Sequence, residues 1–222
     1  MIAVQALLFD LYGTLVDEMP GYRHFLQSRL GIKGDANSFI KQWFLQQRRI
    51  VFSGEYIPFR EVLQKSLKLA AGKSNISLPD TIENEDFLGI FSNIGPFPEV
   101  PAALRNLKKK ARLGILTNSD AYMLAPILPR LGVQFDAVLS AESIKAYKPN
   151  RQAYQRALDS LAAPLEEILF VSGTPWDAKA AGEFGFAAAF VKRRALQPDA
   201  GPSAKYSIKD LGELARIMAD GG

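Results

Sequence analysis

The chain has no cysteine and a single histidine, His24, among 222 residues. Without cysteine there is no disulfide framework, no thiolate metal site and no thiol nucleophile. One histidine excludes a multi-histidine metal site. It also leaves any histidine-based relay to a residue far in sequence from the motifs described below. No apolar run approaches the roughly 20 residues needed to cross a bilayer. Met1 to Gln5 offers no basic region ahead of the first apolar stretch, so it does not read as a signal peptide. A cytoplasmic protein with no membrane partner is expected. Charge of one sign is also scarce, the formal net charge being +4. The basic runs are Lys108-Lys109-Lys110 and Lys192-Arg193-Arg194. Three cations in a row on a helix fan around its surface, so both read as solvated, and no nucleic-acid partner is expected. A mild positive charge suits a small anionic substrate.

What the chain does have begins near its N-terminus. The apolar run Ala6-Leu7-Leu8-Phe9 leads into Asp10, and Gly13 follows three places later. A short apolar run ending in a turn signal predicts a buried strand. A carboxylate at its end either caps the turn or faces the edge where parallel α/β sheets hold ligands. Residues 17–95 differ in character. Helical patterns cover Tyr22 to Leu30, Phe39 to Ile50 and Phe59 to Ala70, and no alternating strand pattern interrupts them. The aromatics of this stretch (Trp43, Phe44, Phe52, Tyr56 and Phe59) read as its core. They could equally bury the contact of a homodimer. Pro96 to Pro101 holds three prolines and reads as a return linker.

From Val100 onward helices and strands alternate. Strands are predicted at Leu113 to Asn118, Ala137 to Ser140, Ile168 to Ser172 and Ala187 to Val191. Helices are predicted at Val100 to Ala111, from Ser119 or Asp120 to Leu131, from Pro149 to Leu161 and from Asp177 to Phe184. Ser207 with Asp210 reads as a capping box for a last helix. Such alternation implies parallel pairing in a doubly wound α/β sheet. All strand ends then share one edge, where Asp10, Thr117-Asn118-Ser119, Tyr147-Lys148-Pro149 and Ser172 to Asp177 converge. That convergence favours the ligand-facing reading of Asp10.

Four stretches in this order resemble the motifs of the haloacid dehalogenase superfamily. They are Asp10-Leu11-Tyr12-Gly13-Thr14, Leu116-Thr117-Asn118, Lys145-Ala146-Tyr147-Lys148-Pro149, and Val171-Ser172 through Trp176-Asp177. Tyr12 and the Trp176-Asp177 pair look most like the L-2-haloacid dehalogenases. The resemblance implies a Rossmannoid core of residues 1–16 plus 96–222, with a helical cap domain of 17–95 inserted. It implies catalytic roles for Asp10 as nucleophile, Lys148 as the cation that keeps Asp10 ionised, and Asp177 as the group that positions Lys148 or the hydrolytic water. It also implies a substrate-facing set of Tyr12, Thr14, Thr117, Asn118, Ser172, Thr174 and Trp176, with Thr14 and Ser172 giving hydrogen-bonding support.

Tyr12 carries the most information about chemistry. The superfamily's phosphatases usually have an aspartate there, which protonates the departing alkoxide. A tyrosine of ordinary pKa about 10 is a weak substitute, whereas a halide leaves without a proton. Metal-dependent members carry an aspartate where this chain has Gly173. A Mg²⁺ site would therefore fall to Asp10, the Tyr12 carbonyl and Asp177, and would be weak. The dehalogenases' cap arginine aligns with Phe44, with Arg48 and Arg49 one helical turn further on, and their fourth-motif asparagine aligns with Thr174. The leading expectation is hydrolytic dehalogenation of a short 2-haloacid through an aspartyl ester, with no cofactor required. The alternatives are a Mg²⁺-dependent phosphatase of a small phosphomonoester and a binding or regulatory protein that keeps the fold.

Overall fold

Every residue of the strand β1 (Ala6–Phe9) is buried, and the rest of the chain packs around it. The computed structural model describes residues 4–32, 35–193 and 204–219. After β1 come β2 (Val16–Asp17), α1 (Met19–Arg29), α2 (Ala36–Val51), α3 (Phe59–Ser74), α4 (Leu88–Ser92) and β3 (Gly95–Pro96). The second half runs α5 (Val100–Lys108), β4 (Arg112–Thr117), α6 (Ala121–Leu124), β5 (Ala137–Ser140), α7 (Ala141–Ile144), α8 (Arg151–Leu161), β6 (Ile168–Ser172), α9 (Pro175–Phe184), β7 (Ala187–Val191), β8 (Tyr206–Ile208) and α10 (Leu211–Ala219).

Six strands form one parallel sheet in the order β5-β4-β1-β6-β7-β8. Side chains alternate across a strand, so β1 serves both faces. Leu7 and Phe9 join Leu104, Leu107, Leu211 and Leu214 from α5 and α10. Ala6 and Leu8 join Ala153, Tyr154, Ala157 and Leu161 from α8 and Ala181 from α9. A strand covered on both faces must be apolar throughout, which is why Ala6 to Phe9 reads as an unbroken run. The chain passes from β1 to β4 on one side and returns to β6 on the other. The crevice at the carboxyl end of β1 is thus the topological switch point, where open α/β sheets hold ligands.

The helices α1 to α4 form an insert whose two ends are brought together by antiparallel pairing, Val16 with Pro96 and Asp17 with Gly95. Inside the insert Trp43 is fully buried, and its Nε1 donates to Ser66 Oγ at 2.8 Å. The core grips the insert at one helix end. The Asp120 carboxylate accepts from Phe59 N at 2.9 Å and from Arg60 N at 3.1 Å. The residue preceding α3 is Pro58, which has no side-chain acceptor to satisfy these amides. Nearby, the Tyr147 hydroxyl donates to Ile57 O at 2.7 Å.

Several expectations from the sequence need correction. The helix predicted from Asp120 to Leu131 is broken, with α6 ending at Leu124 and a 3₁₀ turn following at Leu128–Leu131. Pro126 and Pro129 remove two of the amides a continuous helix would need. Ser207 belongs to β8 and does not cap α10. Asp210 caps it, its Oδ1 accepting from Glu213 N at 2.8 Å. The run Lys192-Arg193-Arg194 is not wholly a solvated surface, because the Arg193 side chain is 6% exposed. Its Nε and Nη2 donate to Thr14 O at 3.0 and 2.6 Å, Nη1 pairs with Glu99 at 2.6 Å, and its plane lies 4.0 Å from the Phe97 ring centre. Arg194 lies outside the described residues. No helix among the described residues is long and apolar enough to cross a membrane.

Candidate active site

Asp10 follows β1 directly, and its backbone N–H still donates to Val171 O on β6 at 3.0 Å. This fixes its carboxylate at the sheet edge. Gly13 then takes a φ of +69°, a value that suits glycine because it has no Cβ to clash. The turn brings Thr14 back beneath the carboxylate, where Thr14 Oγ1 donates to Asp10 Oδ2 at 2.8 Å and accepts from Gly173 N at 2.8 Å. Gly173 leaves no room for a side chain. A Cβ there would lie 1.9 Å from Gly13 O. The loops after β1 and β6 therefore pack backbone against backbone.

Lys148 holds the centre. Its Nζ donates to Asp10 Oδ1 at 2.8 Å and to Asp177 Oδ2 at 2.5 Å. Lys148 is 1% exposed. Burial pushes the pKa of its ammonium down, but the charges and hydrogen bonds of Asp10 and Asp177 more than reverse this, so it is raised overall. Asn118 clamps the lysine's backbone, with Nδ2 donating to Lys148 O at 3.0 Å and Oδ1 accepting from Lys148 N at 2.7 Å. Asp177 is buried. Its Oδ1 accepts from the Tyr154 hydroxyl at 2.7 Å, and its Oδ2 lies 3.4 Å from Ser172 Oγ. Burial first, then the charge of Asp10, push the Asp177 carboxyl up to about 6, against the lowering pull of Lys148 and Tyr154.

A cavity of 760 Å³ opens above Asp10 and Lys148. The core contributes Tyr12, Thr117, Asn118, Thr174 and Trp176 to its lining. Thr14, Ser172 and Asp177 are buried and do not line it. Thr14 and Ser172 instead turn their hydroxyls toward the carboxylates of Asp10 and Asp177. Asn118 lines the cavity, but both ends of its amide are committed to Lys148. The Tyr12 hydroxyl and Thr117 Oγ1 are buried in the lining without a hydrogen-bond partner among the described residues. Burial pushes the Tyr12 pKa well above its ordinary value.

The aromatic residues of the insert divide. Trp43 is core, but Phe44, Phe52 and Phe59 line the cavity. Successive helical residues point about 100° apart, so Trp43 turns into the insert's core and Phe44 toward the cavity, on either side of their shared neighbour Tyr22. Of the two cations after Phe44, Arg48 reaches the lining, whereas Arg49 lies outside it and donates to Gln46 Oε1 at 3.4 Å. His24 is exposed on α1 and takes no part. Sequence reasoning missed Tyr154. It sits on the apolar stripe Ala153, Tyr154, Ala157 and Leu161 and reads as core there. The one available signal is that a buried tyrosine hydroxyl needs a partner.

The donor set is a thin one for Mg²⁺, because Asp10 and Asp177 are both already paired with Lys148. Among the described residues no three carboxylate or imidazole side chains converge. Asp10 and Asp177 instead share the Lys148 ammonium, and Gly173 cannot carry an acid. Mg²⁺ demands near-octahedral oxygen ligation.

Residues 4–185 match the family model described as haloacid dehalogenase-like hydrolase. The chain is 28% identical to (S)-2-haloacid dehalogenase H-109 of Pseudomonas putida over 99% of its own length and 100% of that protein. The solved L-2-haloacid dehalogenase RSc1362 superposes with a TM-score of 0.82 at 26% identity, covering 98% of this chain and 99% of that one. An L-2-haloacid dehalogenase from Xanthobacter autotrophicus, solved with chloropropionic acid covalently bound, shares the fold at a TM-score of 0.81 and 23% identity, covering 97% and 98% of the two chains. With a matching family model over most of its length and a parallel sheet whose switch point carries Asp10, Lys148 and Asp177, the chain belongs to the haloacid dehalogenase-like hydrolases.

Proposed function

We propose that the chain removes halide from C2 of a 2-haloacid by way of an ester on Asp10. A carboxylate oxygen of Asp10 attacks C2. The C–O bond forms as the carbon–halogen bond breaks, the halide takes the bonding pair, and C2 inverts. Water then adds to Cγ of the Asp10 ester. The acyl C–O bond breaks, the 2-hydroxy acid departs and the Asp10 carboxylate returns. One water is consumed, and one halide and one proton are released. Splitting the displacement in this way replaces one hard step with two easier ones.

Lys148 sets its positive charge against one oxygen of Asp10, while Thr14 fixes the second. Asp177 acts through Lys148, since its own oxygens are committed to Lys148 and Tyr154. The Tyr12 hydroxyl and Thr117 Oγ1, buried beside the cavity without a hydrogen-bond partner among the described residues, are the proposed donors to the acid end of the substrate. The observation that carries this reading is the environment of Tyr12. Burial makes its hydroxyl a weaker acid than an ordinary tyrosine, so it is a poor proton donor to a departing alkoxide. A halide needs none. The thin donor set for Mg²⁺ points the same way, as do the names of the relatives.

The test is halide release from 2-bromopropionate in EDTA. Turnover is expected to persist in the chelator and to fall at least about a thousandfold in Asp10→Asn. Release that survives this substitution would remove Asp10 as nucleophile.

A further inference from the structure

The cavity is much larger than a short 2-haloacid. At 760 Å³ it lies in the range that buries a drug-sized ligand, roughly 300–1,000 Å³. One wall follows α2 from Ser38 to Val51, which is about 20 Å of helix. A three-carbon acid spans only about 5 Å by ordinary bond lengths. Filling so small a part of the cavity would leave most of its wall facing water.

The lining also differs along its length. The groups suited to an acid head, the Tyr12 hydroxyl and Thr117 Oγ1, belong to the loops that carry Asp10 and Asn118. The wall beyond is mixed: Phe44, Leu45 and Phe52 from the insert and Trp176 from the core supply an apolar strip, with Lys41, Gln42, Gln47 and Arg48 of α2 beside it. Phe44 packs edge-on against Tyr22 with ring centres 4.7 Å apart. Phe52 meets Trp176 edge-on at 5.1 Å, yet remains 45% exposed. Insert and core thus jointly present an aromatic pair to the cavity, one member of which is left partly uncovered.

We infer that the natural substrate is a 2-haloacid whose C2 bears an extended apolar tail, an alkyl chain or an aryl group, laid against this aromatic wall. The inference rests on the dehalogenase reading for its head group and on the cavity alone for its tail. Burying each added methylene favours binding by about fourfold. Affinity for the tail therefore grows with chain length, while the chemistry at C2 stays the same.

The test is kcat/KM for 2-bromopropionate, 2-bromohexanoate and 2-bromooctanoate, together with binding of propionate and octanoate to the Asp10→Asn protein. From three carbons to eight, kcat/KM is expected to rise at least about thirtyfold. Octanoate is expected to bind at least about tenfold tighter than propionate. Phe52→Ala is expected to cut the eight-to-three-carbon ratio at least about threefold. A flat or falling series in the wild type, octanoate binding no tighter than propionate, or a ratio indifferent to Phe52 overturns the assignment. The two readings fail separately. Turnover of 2-bromopropionate with a flat series removes the tail site and leaves dehalogenation standing. Tight octanoate binding with no halide released from any acid does the reverse.

Discussion

Lys148 is the residue on which the site's electrostatics turn. A buried ammonium between two carboxylates pairs with both and offsets one of their two negative charges. Removing it would leave Asp10 and Asp177 uncompensated, a change that typically costs about 3–5 kcal/mol. The same arrangement sets a pH dependence. Asp177 is pushed up to about 6, and once protonated it no longer holds Lys148 by charge. Activity should therefore fall as pH drops through about 6, with an apparent value that belongs to the linked trio. The Tyr154 hydroxyl lowers the Asp177 pKa through its hydrogen bond. Tyr154→Phe removes that pull, so the acid limb of kcat/KM should move to higher pH. A pH–rate profile of both proteins checks this, and an unmoved limb would mean that Tyr154 is only packing. Lys148 remains charged across this range because its own pKa is raised.

At the scale of elements, the grip of the core on α3 is the most consequential contact. Asp120 belongs to the loop that carries Asn118, just past Thr117 at the end of β4, yet its carboxylate serves the first amides of a helix some sixty residues earlier. Phe59, whose N–H it holds, lines the cavity. Asp120→Ala should cost about 1–2 kcal/mol, the usual value of a helix cap with its favourable charge. It should also speed hydrogen exchange at the amides of Phe59 and Arg60. Unchanged protection at those two amides would show that the contact contributes nothing to holding the insert. This role was not legible in the sequence, because Asp120 also sits at a sound N-cap position for the helix that follows it. Strands were more legible. Ala6 to Phe9 and Ile168 to Ser172 are apolar throughout because both faces of the sheet are covered. The three-residue β8 carries too little pattern to stand out. Arg193 hid within a basic run, since sequence alone does not reveal that Thr14 O and Glu99 await it.

Across the whole molecule, function depends on one edge of one sheet. Asp10 follows β1 and Thr117 ends the neighbouring β4, so parallel pairing brings them to one edge, and Lys148 joins them from the loop after α7. That this edge would gather polar residues could therefore be read from strand ends before any coordinates. What could not be read was the direction each neighbour faces. Thr14 and Ser172 turn inward to support carboxylates, Phe44 and Phe52 turn toward the cavity, and Tyr154 reaches Asp177 from a stripe that looks like plain core. Arg193 ties the loop after Asp10 to the return linker through Thr14 O, Glu99 and Phe97. The central claim is the covalent ester on Asp10, and a single turnover in oxygen-18 water, with enzyme in excess over a 2-haloacid, tests it most directly. Water attacks Cγ of the ester, so the label should appear in the Asp10 carboxylate and be absent from the 2-hydroxy acid released. Label in that product, with Asp10 unlabelled, would mean that water displaces the halide directly and would contradict the account.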